Sequence, residues 1–166
     1  MHADGSAQSA QVRLSRQQAA SFLQVCLAKY RNARIADDPV KEVNHCIGSK
    51  TAYAMLPAAF INPGDVTLMT VPGYPVAGTA TKWFGGTVHP LPLLPENSYF
   101  PDLDGIPAEV LAKTKLLVLC YPNSPTGRTA TRKFYEQVVA WAHRHRVVVV
   151  QDAAHMMLSY DERPLS

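Results

Sequence analysis

Residues 115–151 constrain the fold more than any other stretch of this 166-residue chain. Lys115–Tyr121 and Arg146–Gln151 are two almost unbroken apolar runs. Strands with one wet face alternate apolar and polar residues, so unbroken runs belong to strands covered on both faces, as in a parallel sheet. Between them, the span from Thr131 to His145 places Phe134, Val138 and Trp141 on one stripe at helical spacing, which reads as core. Thr129 or Thr131 is the expected cap of that helix. Strand, helix and strand together predict a βαβ unit with a right-handed crossover. A tight turn, Tyr121-Pro-Asn-Ser-Pro-Thr-Gly127, follows the first strand, and Asp152 stands at the carboxyl end of the second. Ligands of open α/β sheets bind beyond the carboxyl ends of the strands, so a rigid turn and a carboxylate are expected in one crevice.

The rest of the chain alternates in the same way. Arg16–Tyr30 has helical spacing, with Phe22, Cys26 and Tyr30 on one stripe. Val43–Ile47 is a short strand candidate. Gly48-Ser49 opens a helix through Phe60, closed by Asn62-Pro63-Gly64-Asp65. Val66–Val71 is a strand, Pro72-Gly73 a turn, and a helix then runs from Tyr74 or Pro75 to Phe84. Gly85-Gly86 ends it where left-handed geometry is needed. Thr87–Leu91 is a strand, Pro92–Pro107 a Pro-rich loop, and Ala108–Ala112 a short helix. The predicted class is α/β, a three-layer sandwich around a mostly parallel sheet. Residues 1–17 read as a flexible tail and 18–166 as one partial domain.

Composition narrows the function classes. Hydrophobic residues make up 47% of the chain and the net charge is +3 with acids and bases interspersed, which argues against a nucleic-acid partner. No apolar run reaches membrane-spanning length. The polar start lacks the apolar region of a secretory signal, and it reads better as a frayed terminus than as a transit peptide. The three cysteines show no metal-ligand spacing, and Cys120 reads as a small buried hydrophobe. A reducing, cytoplasmic setting is the expectation. His143 and His145 stand two apart on a helix and cannot share a metal. Neither a phosphate-binding P-loop nor a dinucleotide fingerprint follows any strand, which disfavours a nucleotide-binding domain.

Three positions carry chemistry by residue type alone. Gly48-Ser49-Lys50 starts a helix, and a helix N-terminus can hold a phosphate; an ordinary N-cap serine is the alternative. Tyr74 can lie flat on a heteroaromatic ring or plug the sheet edge. Asp152 follows four valines, where an unpartnered carboxylate is costly; a turn or cap role is the alternative.

Pro122-Asn-Ser-Pro-Thr-Gly127 followed by Asp152-Ala-Ala-His155 resembles the large domain of class I/II aminotransferases, pyridoxal-phosphate enzymes of fold type I. Ile47-Gly-Ser-Lys50, Phe60-Ile-Asn-Pro-Gly-Asp65 and Pro72-Gly-Tyr-Pro75 stand in the family's order and spacing. The resemblance covers residues 18–166 and is closest to the LL-diaminopimelate aminotransferase group. It implies pyridoxal 5'-phosphate as cofactor. It also implies a set of contacts: Ser49 and Lys50 at the phosphate, Tyr74 on the ring face, Asp152 at the ring nitrogen. Ser124 and His155 depart from the pattern, which has Asn and Tyr in these slots, both donating to the phenolic oxygen of the ring. For His155 a packing or exposed role stays open.

The resemblance further implies transfer of an amino group between an amino acid and a 2-oxo acid, in a homodimer or with a complementary C-terminal polypeptide. None of the seven lysines stands in the family's Ser-x-x-Lys context, so no Schiff-base lysine is expected within these residues, and the chain alone is expected to be inactive. A fragment, a split subunit and a degenerate paralogue are all consistent with this. The competing expectation is a non-catalytic module that binds a phosphate ligand or a partner.

Overall fold

The computed structural model describes residues 46–158. It divides between Ile47 and Gly48, and the architecture below is that of the unit from Gly48 onward. The helix expected over Arg16–Tyr30 and the tail before residue 18 lie outside the described residues, as does most of the strand expected at Val43–Ile47. Cys46 and Ile47 are described, and neither is in a strand.

In chain order the elements are α1 (Ser49–Phe60), β1 (Val66–Val71), α2 (Val76–Trp83), β2 (Thr87–Pro92), α3 (Ala108–Leu111), β3 (Thr114–Cys120), α4 (Arg132–His145) and β4 (Val148–Asp152). Single 3-10 turns fall at Pro95–Asn97, inside the expected loop, and at Met156–Leu158. The four strands pair in the order β2-β1-β3-β4, and every pairing is parallel.

The apolar runs do what unbroken runs in a parallel sheet should do: alternate residues serve opposite faces. Leu68, Leu117 and Leu119 point into one core with Phe134, Val138 and Trp141 of α4. Their neighbours Met69 and Val118 enter a second core with Tyr53 of α1 and Ala77 of α2. Helices therefore cover both faces, which is the expected three-layer α/β arrangement. Leu68, Leu116, Leu117 and Leu119 are fully buried, each contributing about 1.5–3 kcal/mol relative to exposure. One polar pair is admitted to the core. Thr81 donates to the Ala77 carbonyl at 2.8 Å and lies 2.8 Å from the Thr67 hydroxyl. A hydroxyl has one hydrogen, so Thr67 is the donor between them and both groups are satisfied.

Helix ends match their sequence signals with small shifts. Thr131, not Thr129, caps α4 by accepting the Phe134 amide at 3.2 Å. His143, Arg144 and His145 put basic groups at the negative end of the helix dipole. Gly85 takes the left-handed conformation after α2, at φ 76°. The strand expected from Arg146 begins later. Arg146 itself closes α4 in the left-handed conformation, φ 57° and ψ 41°, so pairing starts only at Val148. At its other end the strand extends one residue further than expected and includes Asp152.

Three phenols are perturbed by this packing. Burial, followed by the charge of Asp152, pushes Tyr53 above the usual range. Burial and then Tyr135 do the same to Tyr121, with Arg128 opposing. Burial and then Cys120 push Tyr135 up to about 12. The unfolded chain thus releases these protons first, near the ordinary value of about 10. Stability from this source is intact below that pH and is lost as pH rises through the folded values. Thermal melts across the alkaline range should show Tm falling progressively above about pH 10, with the fold's phenolate absorbance lagging that of the unfolded chain. A Tm independent of pH there, with ordinary phenol titration, would contradict the packing around these rings.

Candidate functional site

The crevice at the carboxyl edge of the sheet has a volume of about 460 Å³, within the range of about 300–1,000 Å³ common for small-molecule sites. Each strand end or helix start contributes one wall. Ser49 and Lys50 come from the first turn of α1, Gly73 and Tyr74 from the turn after β1, and Ser124 from the turn after β3. Asp152 ends β4, and Ala154 and His155 follow it. All six residues singled out in the sequence, Ser49, Lys50, Tyr74, Ser124, Asp152 and His155, therefore line one cavity.

The α1 wall is a helix start. Ser49 is the first helical residue rather than the N-cap, which settles the alternative left open above. Gly48 occupies the cap at φ 71°, a conformation that disfavours any residue with a Cβ. Lys50 is exposed, adding a cation beside the positive end of the helix dipole. Such a wall is an anion receptor.

The turn after β1 is tight. A Cβ at Gly73 would come within 2.6 Å of the Thr70 carbonyl oxygen, so only glycine lets the chain double back there. That places Tyr74 at the rim, 43% exposed, with its ring 6.2 Å from the Tyr53 ring at an interplanar angle of 12°.

The turn after β3 is held by Asn123, which sequence reading had passed over for its neighbour. Asn123 is buried. Its amide nitrogen donates to the Pro72 carbonyl at 3.2 Å, and its amide oxygen accepts from the Thr126 hydroxyl at 2.8 Å and the Thr126 amide at 3.3 Å. The adjacent Ser124 is left exposed in the crevice. The Asn-x-x-Thr spacing was the available signal, since Asn side chains close turns onto backbone a few residues ahead.

On β4, Asp152 is half-buried rather than buried, because among the described residues β4 has a neighbour on one side only. One carboxylate oxygen accepts the Ala154 amide at 3.1 Å; the other has no hydrogen-bond partner among the described residues. Gln151 steadies the strand end by donating to the Tyr121 carbonyl at 2.7 Å. His155 Nδ1 is buried and has no hydrogen-bond partner among the described residues.

Cys120 was read as a plain core residue, and it is buried, but it also lines the crevice. It is the register partner of Asp152. Burial and then the Asp152 charge push its thiol up, the Ser124 backbone opposing. Among the described residues no cluster of His, Cys, Asp or Glu could hold a metal ion.

The family model "Aminotransferase class I and II" matches residues 6–165. The chain belongs to the class I and II aminotransferases. It is 60% identical over 129 residues to an LL-diaminopimelate aminotransferase of Methanocaldococcus jannaschii, covering 78% of this chain and 31% of that protein. The corresponding enzyme of Methanococcus maripaludis is 57% identical over the same span. The substrate-bound BacF structure from Bacillus subtilis superposes with a TM-score of 0.82 at 33% identity, covering 87% of this chain and 37% of that one. An aminotransferase from Staphylococcus aureus gives 0.81 at 32%, covering 87% and 39%. The chain thus spans about a third of the length of the curated relatives it matches. Class I and II aminotransferases depend on pyridoxal 5'-phosphate.

The donor set fits that cofactor. An anion receptor suits a phosphate, an open aromatic rim suits a ring, and a carboxylate oxygen without a partner suits a protonated ring nitrogen. The orphaned His155 nitrogen and the Ser124 hydroxyl remain for a ring oxygen.

The Cys120–Asp152 pairing can be tested without any ligand. Only the thiolate alkylates, so removing the Asp152 charge in Asp152→Asn should lower the Cys120 pKa and speed its alkylation at fixed pH. Cys46 serves as the reference in the same peptide map. Equal Cys120 rates in the two proteins would separate these side chains.

Proposed function

We propose that residues 1–166 form a cofactor-holding part of a pyridoxal-phosphate-dependent aminotransferase that moves an amino group between an amino acid and a 2-oxo acid. The observation that carries this reading is convergence: a helix start, an aromatic ring and a carboxylate from three separate loops meet in one crevice. Identity to enzymes named LL-diaminopimelate aminotransferases supports LL-diaminopimelate as one of the two amino acids in the exchange.

The roles follow from the chemistry of each wall. The α1 start with Ser49 and Lys50 binds the phosphate, and Tyr74 packs on the ring face. Asp152 holds a proton on the ring nitrogen through a charge-assisted hydrogen bond. Ser124 and His155 donate to the phenolic oxygen. Pyridoxal phosphate, when bound, supplies a ring that takes up the electron pair released at the substrate carbon. Asp152 sustains that capacity by keeping the ring nitrogen protonated.

Transamination also needs an amine at the cofactor's aldehyde carbon and a base for the substrate proton. Of the described lysines, Lys50 alone lines the crevice, and it stands at the phosphate wall. The reading therefore assigns that amine to a further segment or a partner polypeptide, in a dimer or a complemented pair. A second reading, a phosphate-ligand or partner-binding module without chemistry, is favoured by the departures at Ser124 and His155.

Two measurements follow. In titrations with pyridoxal phosphate, Asp152→Ala should lose about 1.5–3 kcal/mol of affinity and His155→Ala about 1 kcal/mol, since a charge-assisted bond outweighs a neutral one; the reverse order rejects the assigned roles. Residues 1–166 by themselves should turn over no amino acid. Borohydride reduction with pyridoxal phosphate, followed by peptide mapping, should give no stoichiometric lysine adduct. A single full adduct accompanied by turnover would show that these residues carry their own amine.

A further inference from the structure

We propose that Tyr53 is a positioning residue for the crevice, fixing from behind the plane of the Tyr74 ring. The inference rests on the cofactor reading above and extends it to a residue that does not touch the cavity. Tyr74 lies in the turn before α2, outside any helix, and is 43% exposed, so no regular backbone bonding holds its ring. Among the described residues its ring packs against one other ring, that of Tyr53, nearly parallel at 12° and with centroids 6.2 Å apart. That separation lies within the offset-stacked range of aromatic pairs.

Tyr53 is itself anchored. It is 8% exposed and packs with Met69 of β1, Ala77 of α2 and Val118 of β3. The sheet therefore holds Tyr53, and Tyr53 holds Tyr74. Tyr53 also lies four residues after Ser49 on the same helix, about 6 Å along its axis. One rigid element thus sets both the anion-binding end and the height of the ring platform. Burial and the Asp152 charge keep the Tyr53 phenol protonated, so the backing ring adds no charge beside the carboxylate. The stacking task needs the ring rather than the hydroxyl, which makes phenylalanine an adequate substitute and leucine an inadequate one.

The test compares wild type, Tyr53→Phe and Tyr53→Leu with two probes, pyridoxal phosphate and inorganic phosphate. It also maps the rate of Tyr74 nitration in the ligand-free protein. Tyr53→Leu should weaken pyridoxal phosphate about three- to tenfold, the worth of one aromatic pair. It should leave inorganic phosphate affinity unchanged and speed Tyr74 nitration, while Tyr53→Phe behaves as wild type in all three. Unchanged pyridoxal phosphate affinity in Tyr53→Leu overturns the proposal. So does equal loss for both probes, which would mark a general disturbance of α1. Failure of the wild-type protein to bind pyridoxal phosphate sinks the cofactor reading and this extension together; nitration then still shows whether the Tyr53 ring restrains Tyr74.

Discussion

The hydrogen bond from the Asn123 side-chain amide to the Pro72 carbonyl, 3.2 Å long, joins residues 51 positions apart in sequence. It ties the turn after β3, which carries Ser124, to the turn after β1, which carries Tyr74. Without it the two loops would share only the sheet beneath them. Each is short and irregular, and irregular backbone holds its shape only when its polar groups are occupied. Asn123 engages five polar groups at once: it also takes the Thr126 hydroxyl and amide, its backbone carbonyl accepts the Gly127 amide at 2.8 Å, and its own amide donates to the Arg128 carbonyl at 2.8 Å. A crevice with walls from separate loops needs such a clamp, since a ligand that touches both walls gains affinity only when they are already spaced.

The second constraint is the parallel sheet itself. Parallel strands end at a common edge, and the register places Cys120 of β3 directly beside Asp152 of β4. The carboxylate's field is then felt by Cys120 and by Tyr53, each raised first by burial and next by Asp152. Both respond by staying neutral. The Asp152 charge therefore sits near a thiol and a phenol that are held neutral, while Lys50 and the α1 start hold the positive end. A ligand with a phosphate at one end and a protonated ring nitrogen at the other matches that polarity.

The sheet and its helices were legible because period and burial agree. Val66–Val71 is the strand that the sequence predicts, to the residue. Boundaries slipped where one residue overrode the pattern. Arg146 continues an apolar run on paper, yet closes α4 in the left-handed conformation and delays β4. The six crevice-lining residues were singled out by chemistry-bearing types that follow predicted strands and by the family's motifs. Cys120, Asn123 and Tyr53 were not. Cys120 reads as core because it is core, and only the pairing with Asp152 shows its other role. Asn123 stands beside Ser124 in the same turn, and no propensity says which side chain turns inward. Tyr53 lies on a helix stripe that cannot be told from ordinary packing until Tyr74 is placed against it.

Ser124 and His155 can be weighed physically now that their surroundings are known. Ser124 is exposed, and its hydroxyl makes no hydrogen bond to another described residue, so that hydroxyl is available at little desolvation cost. His155 differs, because its Nδ1 is buried without a partner, an arrangement that costs about 1–3 kcal/mol unless something completes it. A shorter donor on one wall and an unsatisfied ring nitrogen on the opposite strand-end loop are complementary departures. The serine offers a short hydroxyl, and the histidine brings a ring nitrogen with no partner among the described residues. Under the proposed reading, the burden of contacting the phenolic oxygen moves from the β3 turn to the segment after β4. The ring's other anchors, Asp152 and Tyr74, belong to the better-supported walls, the one paired in the sheet and the other backed by Tyr53.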